Sequence, residues 1–138
     1  MDPERINPAE LARPSGFSHA VSVPAGRMVF LAGQIGMDRD GELAAGGVVP
    51  QFEQALSNLL IALAGAGGHP SDLVSVTIYL TDVVDYQARA KEIGAVWRRL
   101  AGTEYPAMAG VGVTRLWLPE AAVEIQGIAV VSADGVSR

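Results

Sequence analysis

The sequence predicts a single α+β domain, residues 1–138, in which two helices cover one face of a mixed β-sheet. Strand-like and helix-like apolar patterns follow one another in the order β-β-α-β-α-β-β, and 49% of the 138 residues are hydrophobic, enough for one core. Two strand–helix–strand connections require parallel pairing within the sheet of five or six strands. Because the strands are apolar on both faces and the helices cover only one, we expect other copies of the chain to bury the open face.

The first half of the chain supplies an arm, two strands and a helix. Residues 1–16 contain three prolines and one glycine and predict an irregular N-terminal arm. Residues 18–23 and 28–35 lie on either side of a Pro-Ala-Gly-Arg turn, which predicts a β-hairpin. A stripe of apolar residues at steps of three and four predicts a helix from about Pro50 to Ala64, ended by the glycines that follow it.

The second half predicts a strand, a helix and two more strands. Asp82 and Asp85 are both suited to cap the helix, whose apolar stripe runs from Tyr86 to Leu100. The three strands occupy residues 73–80, 107–114 and 121–131.

The last of these strands contains one isolated carboxylate, Glu124. Strand alternation places Glu124 and Gln126 on the face opposite Val123 and Ile125. An ionised carboxylate in so apolar a strand requires hydrogen-bond donors or a wet cleft. Glu124 is therefore either a structural acid that accepts from backbone N–H groups or part of a functional site, and the pattern leaves both open.

Composition excludes several classes of function. The chain has no cysteine, which rules out a thiol nucleophile, a disulfide framework and a cysteine zinc site. His19 and His69 are isolated, and no glycine-rich stretch stands between a strand and a helix, so neither a metal nor another cofactor is expected. A net charge of −5 with scattered arginines argues against a nucleic-acid partner. No apolar run could span a membrane and no signal segment is evident, so we expect a cytoplasmic protein.

Six short stretches, in one order between residues 17 and 131, resemble the RidA/YjgF family of reactive-intermediate deaminases, also known as L-PSP endoribonucleases. They are Ser18-His19-Ala20-Val21, the segments 29–35, 55–59 and 76–82, Tyr105-Pro106-Ala107, and Leu118-Pro119 together with Val123-Glu124-Ile125. The resemblance implies a chorismate-mutase-like fold, a homotrimer and ligand clefts between neighbouring subunits. The homotrimer agrees with the open sheet face inferred above.

The resemblance also implies a chemistry and a set of site residues. Deaminases of this family hydrolyse imines and enamines such as 2-aminoacrylate to a keto acid and ammonia. Their glutamate, which helps to position the attacking water, corresponds to Glu124, but their carboxylate-binding arginine corresponds to Met108. A tyrosine that lines the cleft corresponds to Phe17, and a frequent cysteine corresponds to Gly110. The chain is thus similar to a branch of the family that lacks the catalytic arginine.

The substituted positions change the expected ligand. Met108 cannot bind a carboxylate and Phe17 has no hydroxyl, so the ligand should be less charged than the usual substrate. Arg115 lies an odd number of residues from Met108, and a regular strand would point it to the opposite face. The role of Trp117, which lies in a loop, is left open.

Three hypotheses follow for the function. The first is a RidA-like protein that binds a small molecule between subunits and, if it is catalytic, hydrolyses or tautomerises an imine or enamine. Glu124 would then act as base or water positioner. The expected ligand-binding residues are Phe17, Ser18, Gly33, Met108 and Gly110. The second hypothesis is a non-catalytic metabolite-sensing or protein-interaction module, and the third is an endoribonuclease or translation inhibitor.

Overall fold

The computed structural model describes residues 3–132, which form six β-strands, three α-helices and one short 3₁₀ turn. The strands are β1 Glu4–Ile6, β2 Ala20–Ser22, β3 Arg27–Ile35, β4 Leu73–Leu80, β5 Ala107–Gly112 and β6 Val123–Val131. The helices are α1 Val48–Gly65, α2 Val83–Ala88 and α3 Ala90–Ala101, and the 3₁₀ turn is Pro70–Asp72. The α+β class and the mixed sheet are therefore confirmed.

The main sheet has four strands in the order β3-β6-β4-β5. β4 and β5 are parallel, while β6 is antiparallel to both of its neighbours. β6 is thus an interior strand of the sheet, with β3 hydrogen-bonded on one side and β4 on the other, which explains its run of Val and Ile.

The predicted hairpin between residues 18–23 and 28–35 is wrong. β2 pairs instead with β1, and the pair forms a separate two-stranded sheet. β3 pairs with β6 because a nine-residue apolar partner offers far more cross-strand contacts than the three residues of β2. The N-terminal arm is also not wholly irregular, since β1 lies within it.

The core lies between the sheet and helices α1 and α3. Phe52, Leu56, Leu59 and Leu63 of α1 are fully buried, as the apolar stripe predicts. On α3, Ile93, Val96 and Trp97 close the other end of the core. None of the helices in residues 3–132 combines the length and the apolarity needed to cross a membrane.

The second predicted helix is divided into α2 and α3 at Arg89. Asp82 is the N-cap of α2, and its side chain accepts a 3.0 Å hydrogen bond from the Asp85 N–H. Arg89 leaves helical geometry, with φ −109° and ψ 20°, and its guanidinium bonds the Asp85 carboxylate at 3.1 Å.

The face of the sheet opposite the helices is open and partly apolar. Met28 and Phe30 of β3 are 57% and 73% exposed, although both are large hydrophobic residues within a strand. Ile128 and Val130 of β6, half-buried, lie directly beside them. The expected open face is therefore present in the single chain.

Candidate functional site

Glu124 and Gly33 lie side by side between β6 and β3. Ile35 pairs with Glu124, and the strand pairing is interrupted by a bulge between Leu31 and Gln34 that contains Gly33. A Cβ atom at Gly33 would overlap Glu124 Oε2 and lie 2.9 Å from its Cδ. Only glycine therefore leaves room for the carboxylate in its observed position.

The Glu124 carboxylate is half-buried and has no internal partner. Within residues 3–132, no hydrogen bond or ion pair reaches it. The Tyr79 hydroxyl, on the neighbouring strand, donates instead to Gln126 at 3.2 Å. The alternative of a structural acid held by backbone N–H groups is thus not what the structure shows. An unpaired, partly desolvated carboxylate is suited to accept a proton or orient a water molecule.

A second group of predicted residues lies at the β5 edge of the sheet. Ser18, next to Phe17, forms an isolated parallel bridge with Ala107, the residue before Met108. The Phe17 ring packs edge-on against His19, with the ring centres 5.2 Å apart.

Ser18 is buried, and its polar groups are used within the chain. Its hydroxyl donates to the Tyr105 carbonyl at 2.7 Å, and its N–H donates to the Pro106 carbonyl at 2.9 Å. The observed role of Ser18 is to join the segment before β2 to the start of β5. Its contact with a ligand stays a prediction.

The two groups face opposite sides of the sheet in one chain. Tyr79 of β4 pairs with both Glu124 and Val111, so these three side chains share a face. Met108 and Gly110 alternate with Val111 and point to the other side. In addition, β4 lies between β5 and β6. The strand that carries Met108 and the strand that carries Glu124 are therefore two strand spacings, or roughly 10 Å, apart. A cleft that contains both groups therefore requires two copies of the chain.

Arg115 and Trp117 lie beyond the strand that was expected to orient them. β5 ends at Gly112, so strand alternation does not apply to Arg115. Its guanidinium donates to the carbonyls of Leu116 and Trp117, each at 3.1 Å. The Trp117 side chain is 93% exposed. Arg115 is thus engaged with its own loop.

A cavity of about 370 Å³ lies on the helix side of Met108, between α2, α3 and the sheet. Four of the eight aromatic residues of the chain line it, and they are Phe52, Tyr86, Trp97 and Tyr105. Burial raises the pKa of Tyr86 to about 12. The sequence indicates Trp97 only as a core residue. The overlooked signal is Gly94, a helix-interior glycine that leaves space beside the tryptophan.

No metal centre is evident in the part of the chain that the structure describes. Residues 3–132 contain no group of three or more His, Asp or Glu side chains arranged to hold an ion.

Comparisons with known proteins agree with these features. The family model described as Endoribonuclease L-PSP matches residues 8–131. A 2-iminobutanoate/2-iminopropanoate deaminase from Dermatophagoides farinae is 36% identical over 134 residues, which cover 95% of this chain and 99% of that protein. Protein DfrA from Myxococcus xanthus is 43% identical over 116 residues, covering 83% and 84% of the two chains. The crystal structure of a Rid-family protein from Yersinia pestis superposes with a TM-score of 0.85, at 34% identity, over 95% of this chain and all of the other.

Proposed function

Because the chain belongs to the RidA/YjgF family, the family of Endoribonuclease L-PSP, we propose that it binds a small imine or enamine between subunits and hydrolyses or tautomerises it. The observation that carries the proposal is the unpaired carboxylate of Glu124, half-buried beside Gly33 on the open sheet face. The relative from Dermatophagoides farinae, named an imine deaminase, supports this class of reaction.

A homotrimer is the assembly that this proposal requires. The residues predicted to form the site divide into a Glu124 group and a Met108 group on opposite faces of one sheet. The exposed side chains of Met28 and Phe30 give the Glu124 face an apolar surface suited to a neighbouring subunit. Contact between that face and the β5 edge of the next subunit would bring the two groups into one cleft.

Hydrolysis in such a cleft needs one proton acceptor and one attacking water. Glu124 takes a proton from water as the water oxygen bonds to the imine carbon, which forms a carbinolamine. The same carboxyl group delivers that proton to the nitrogen. Glu124 then carries the hydroxyl proton of the carbinolamine to the nitrogen while the oxygen forms the C=O bond and the C–N bond breaks, so that a ketone and ammonia leave. Backbone N–H groups near Gly33 of one subunit and near Met108 of its neighbour would stabilise the charge that develops.

Met108 and Phe17 define the preferred substrate. A thioether and a phenyl ring provide no charged donor for a carboxylate. Without the bidentate contact of an arginine, turnover of 2-aminoacrylate should be lower by roughly 10²- to 10³-fold. The proposed substrate is therefore an imine or enamine with an uncharged, largely apolar substituent.

The test is an assay with enzymatically generated imines of several amino acids and of uncharged amines. The wild-type chain should favour the uncharged imines, and Phe17→Tyr/Met108→Arg should gain about 10²-fold or more on 2-aminoacrylate. If the wild type equals the double variant on 2-aminoacrylate, the argument from the missing arginine is wrong.

Glu124→Gln separates catalysis from binding alone. This variant keeps the shape of the side chain but cannot accept the proton, so turnover should fall at least 10²-fold while the assembly stays intact by light scattering. Full turnover by Glu124→Gln would overturn the assigned role.

RNA binding tests the endoribonuclease hypothesis. A strong, salt-dependent affinity for RNA would favour that hypothesis, although the net charge of −5 argues against it.

A further inference from the structure

Helix α1 carries three amide side chains beside its apolar stripe. Gln51, Gln54 and Asn58 recur at steps of three and four residues, so they lie on one side of the helix and form an amide stripe. We propose that the amide stripe positions the carboxylate of the site, by fixing the chain on both sides of Glu124 so that it lies against Gly33. The inference rests on the proposed function of Glu124 and adds the residues that keep it in place.

Asn58 holds the end of β3. Its Nδ2 donates to the Ile35 carbonyl at 3.2 Å and to the Met37 carbonyl at 2.7 Å. Gln54 donates to Asn58 Oδ1 at 2.9 Å, which keeps the Nδ2 end of the amide turned towards these carbonyls. Ile35 pairs with Glu124 just after the bulge, where regular strand pairing has been interrupted. The two bonds from Asn58 therefore fix a segment that the sheet alone constrains less.

Gln51 holds the start of β6. Its side chain is buried, and its Oε1 accepts a hydrogen bond from the Ala122 N–H at 2.7 Å. Ala122 lies two residues before Glu124, and its carbonyl accepts from the Thr81 N–H at 3.2 Å. A buried amide is costly unless it is hydrogen-bonded, and this one is bonded to the backbone beside the site. One helix thus contacts the chain next to Glu124 from the β3 side and from the β6 side.

Gly36 allows the helix to approach closely enough for both contacts. A Cβ atom on Gly36 would lie 2.6 Å from the Cα and 2.6 Å from the carbonyl oxygen of Gln51. Both are backbone atoms and cannot rotate away, so glycine is required at this crossing. The apolar stripe of α1 is packed into the core, which makes the helix a rigid support for the two strand ends.

The environment of Glu124 can be measured without a substrate. In protein labelled with ¹³C-glutamate, the carboxyl resonance of Glu124 is the one that disappears in Glu124→Gln. Asn58→Leu keeps most of the side-chain bulk but cannot donate a hydrogen bond, and Gln51→Met keeps the length but offers only a weak sulfur acceptor. Each variant should shift the Glu124 resonance. Gln51→Met should also raise hydrogen exchange of the Ala122 amide about 10-fold or more.

Turnover measures the consequence for the proposed reaction. In the imine assay, kcat of Asn58→Leu should fall about 10- to 100-fold, because a carboxylate that is displaced by a fraction of a bond length orients water poorly. KM should change little, since the Asn58 amide bonds the backbone of its own chain and not a ligand. Gln51→Met should show the same division between kcat and KM.

Two control variants on α1 separate positioning from stability. Leu59→Ala removes a fully buried side chain outside the amide stripe and should lower the melting temperature at least as much as Asn58→Leu. It should nevertheless keep wild-type kcat per folded chain and the wild-type Glu124 resonance. Ser57→Leu, at the half-buried neighbouring position, controls for the added leucine and should change neither quantity.

The resonance and the turnover answer different questions. An unshifted Glu124 resonance in both Asn58→Leu and Gln51→Met would overturn the inference, whether or not the chain is an enzyme. A fall of kcat in Leu59→Ala as large as that in Asn58→Leu would also overturn it, because stability alone would then explain the loss. Absence of any wild-type turnover would contradict the proposed function, and the resonance would still decide whether the amide stripe fixes the carboxylate.

Discussion

At the scale of single residues, the closest fit in the site is between Gly33 and Glu124. The carboxylate occupies the space where any other residue would place its Cβ. The glycine therefore sets the position of the acid, and the bulge in β3 brings the glycine to that position.

Gly33→Ala should move the Glu124 carboxylate and lower turnover to near the level of Glu124→Gln. Because the clash involves a side chain that can rotate away, the free energy of unfolding should fall by only about 1–3 kcal/mol. The measurements are the imine assay and urea unfolding. Gly65→Ala, where an added Cβ meets nothing within 4 Å, is the control; it should leave turnover unchanged and should not lower the free energy of unfolding, because alanine favours helix over glycine. Wild-type turnover in Gly33→Ala would show that the carboxylate has no fixed role.

Tyr86 should make the stability of the folded chain depend on pH in the alkaline range. Burial raises the pKa of Tyr86 from 10.0 to about 12, so the folded chain holds the phenol proton more tightly than the unfolded chain. The contribution of Tyr86 to stability is therefore complete below pH 10 and is lost as the pH rises through about 12. Tyr86→Phe removes the ionisable group while keeping the ring.

The expected outcome is a smaller loss of stability for Tyr86→Phe than for the wild type between pH 9 and pH 11.5. Urea midpoints at several pH values within this interval measure it. Tyr79 and Tyr105 are present in both proteins, so the difference between the two curves isolates Tyr86. Parallel curves would contradict the assignment.

At the scale of elements, β1 is held by one arginine. Arg5 donates to the carbonyls of Ser71 and Glu104, at 3.0 and 3.2 Å, and pairs with the Glu104 carboxylate at 3.5 Å. Its side chain is only 16% exposed. These contacts join the N-terminal strand to loops about 66 and 99 residues away.

Arg5→Ala should release β1 from the rest of the fold. The loss of several partly buried, charge-assisted hydrogen bonds should lower the protection of amides in residues 4–6 and 20–22 at least 10-fold in hydrogen exchange. Arg5→Lys should restore little, because a single ammonium cannot reach the same set of carbonyls. Arg13→Ala, on an exposed residue without an ion pair in residues 3–132, is the control. Unchanged exchange in Arg5→Ala would show that β1 is held by its pairing with β2 alone.

At the scale of the whole molecule, the open sheet face is the surface that should determine assembly. Phe30 projects from the centre of β3 with 73% of its surface exposed, beside the half-buried Ile128. Exposed apolar residues grouped on one face of a sheet are typical of a surface that another protein covers. The proposed trimer would bury Phe30.

Phe30→Glu should convert the proposed trimer, with three times the 14.4 kDa chain mass, into a monomer. A charge placed in a buried apolar interface opposes association strongly. Size-exclusion chromatography with light scattering measures the mass. Ile61→Glu, on the outer side of α1 and 66% exposed, is the matched control and should stay trimeric. A trimeric Phe30→Glu, or a monomeric wild type, would remove the basis for a site between subunits.

Several features of this fold could be predicted from neighbouring residues alone. The spacing of Phe52, Leu56 and Leu59 predicts the buried stripe of α1, and alternation around Glu124 predicts which face it occupies. Both patterns reflect local geometry, because a helix repeats every 3.6 residues and a strand every two. Gly33 and Glu124 are expected from the sequence only as members of one site, and their contact is a finding of the structure, since nothing local connects residues 91 positions apart.

Other features depend on contacts that no local pattern contains. The strand after the Pro-Ala-Gly-Arg turn pairs with β6 rather than β2, because competition among distant strands decides sheet order. The predicted second helix breaks at Arg89 although its apolar stripe continues. The cavity beside Trp97 is lined by the small residues Ala90 and Gly94 of α3 and by larger residues on the sheet side.

By itself, the sequence determined the α+β class, the family and the side of the strand on which Glu124 lies, since these follow from periodicity and from ordered motifs. Only the tertiary structure decided that the Glu124 carboxylate has no internal partner, that Met108 faces the other side of the sheet, and that a cavity lies beneath α3. These three features depend on how the helices and strands pack against one another. That packing is set by contacts between side chains far apart in the sequence, which no local pattern contains.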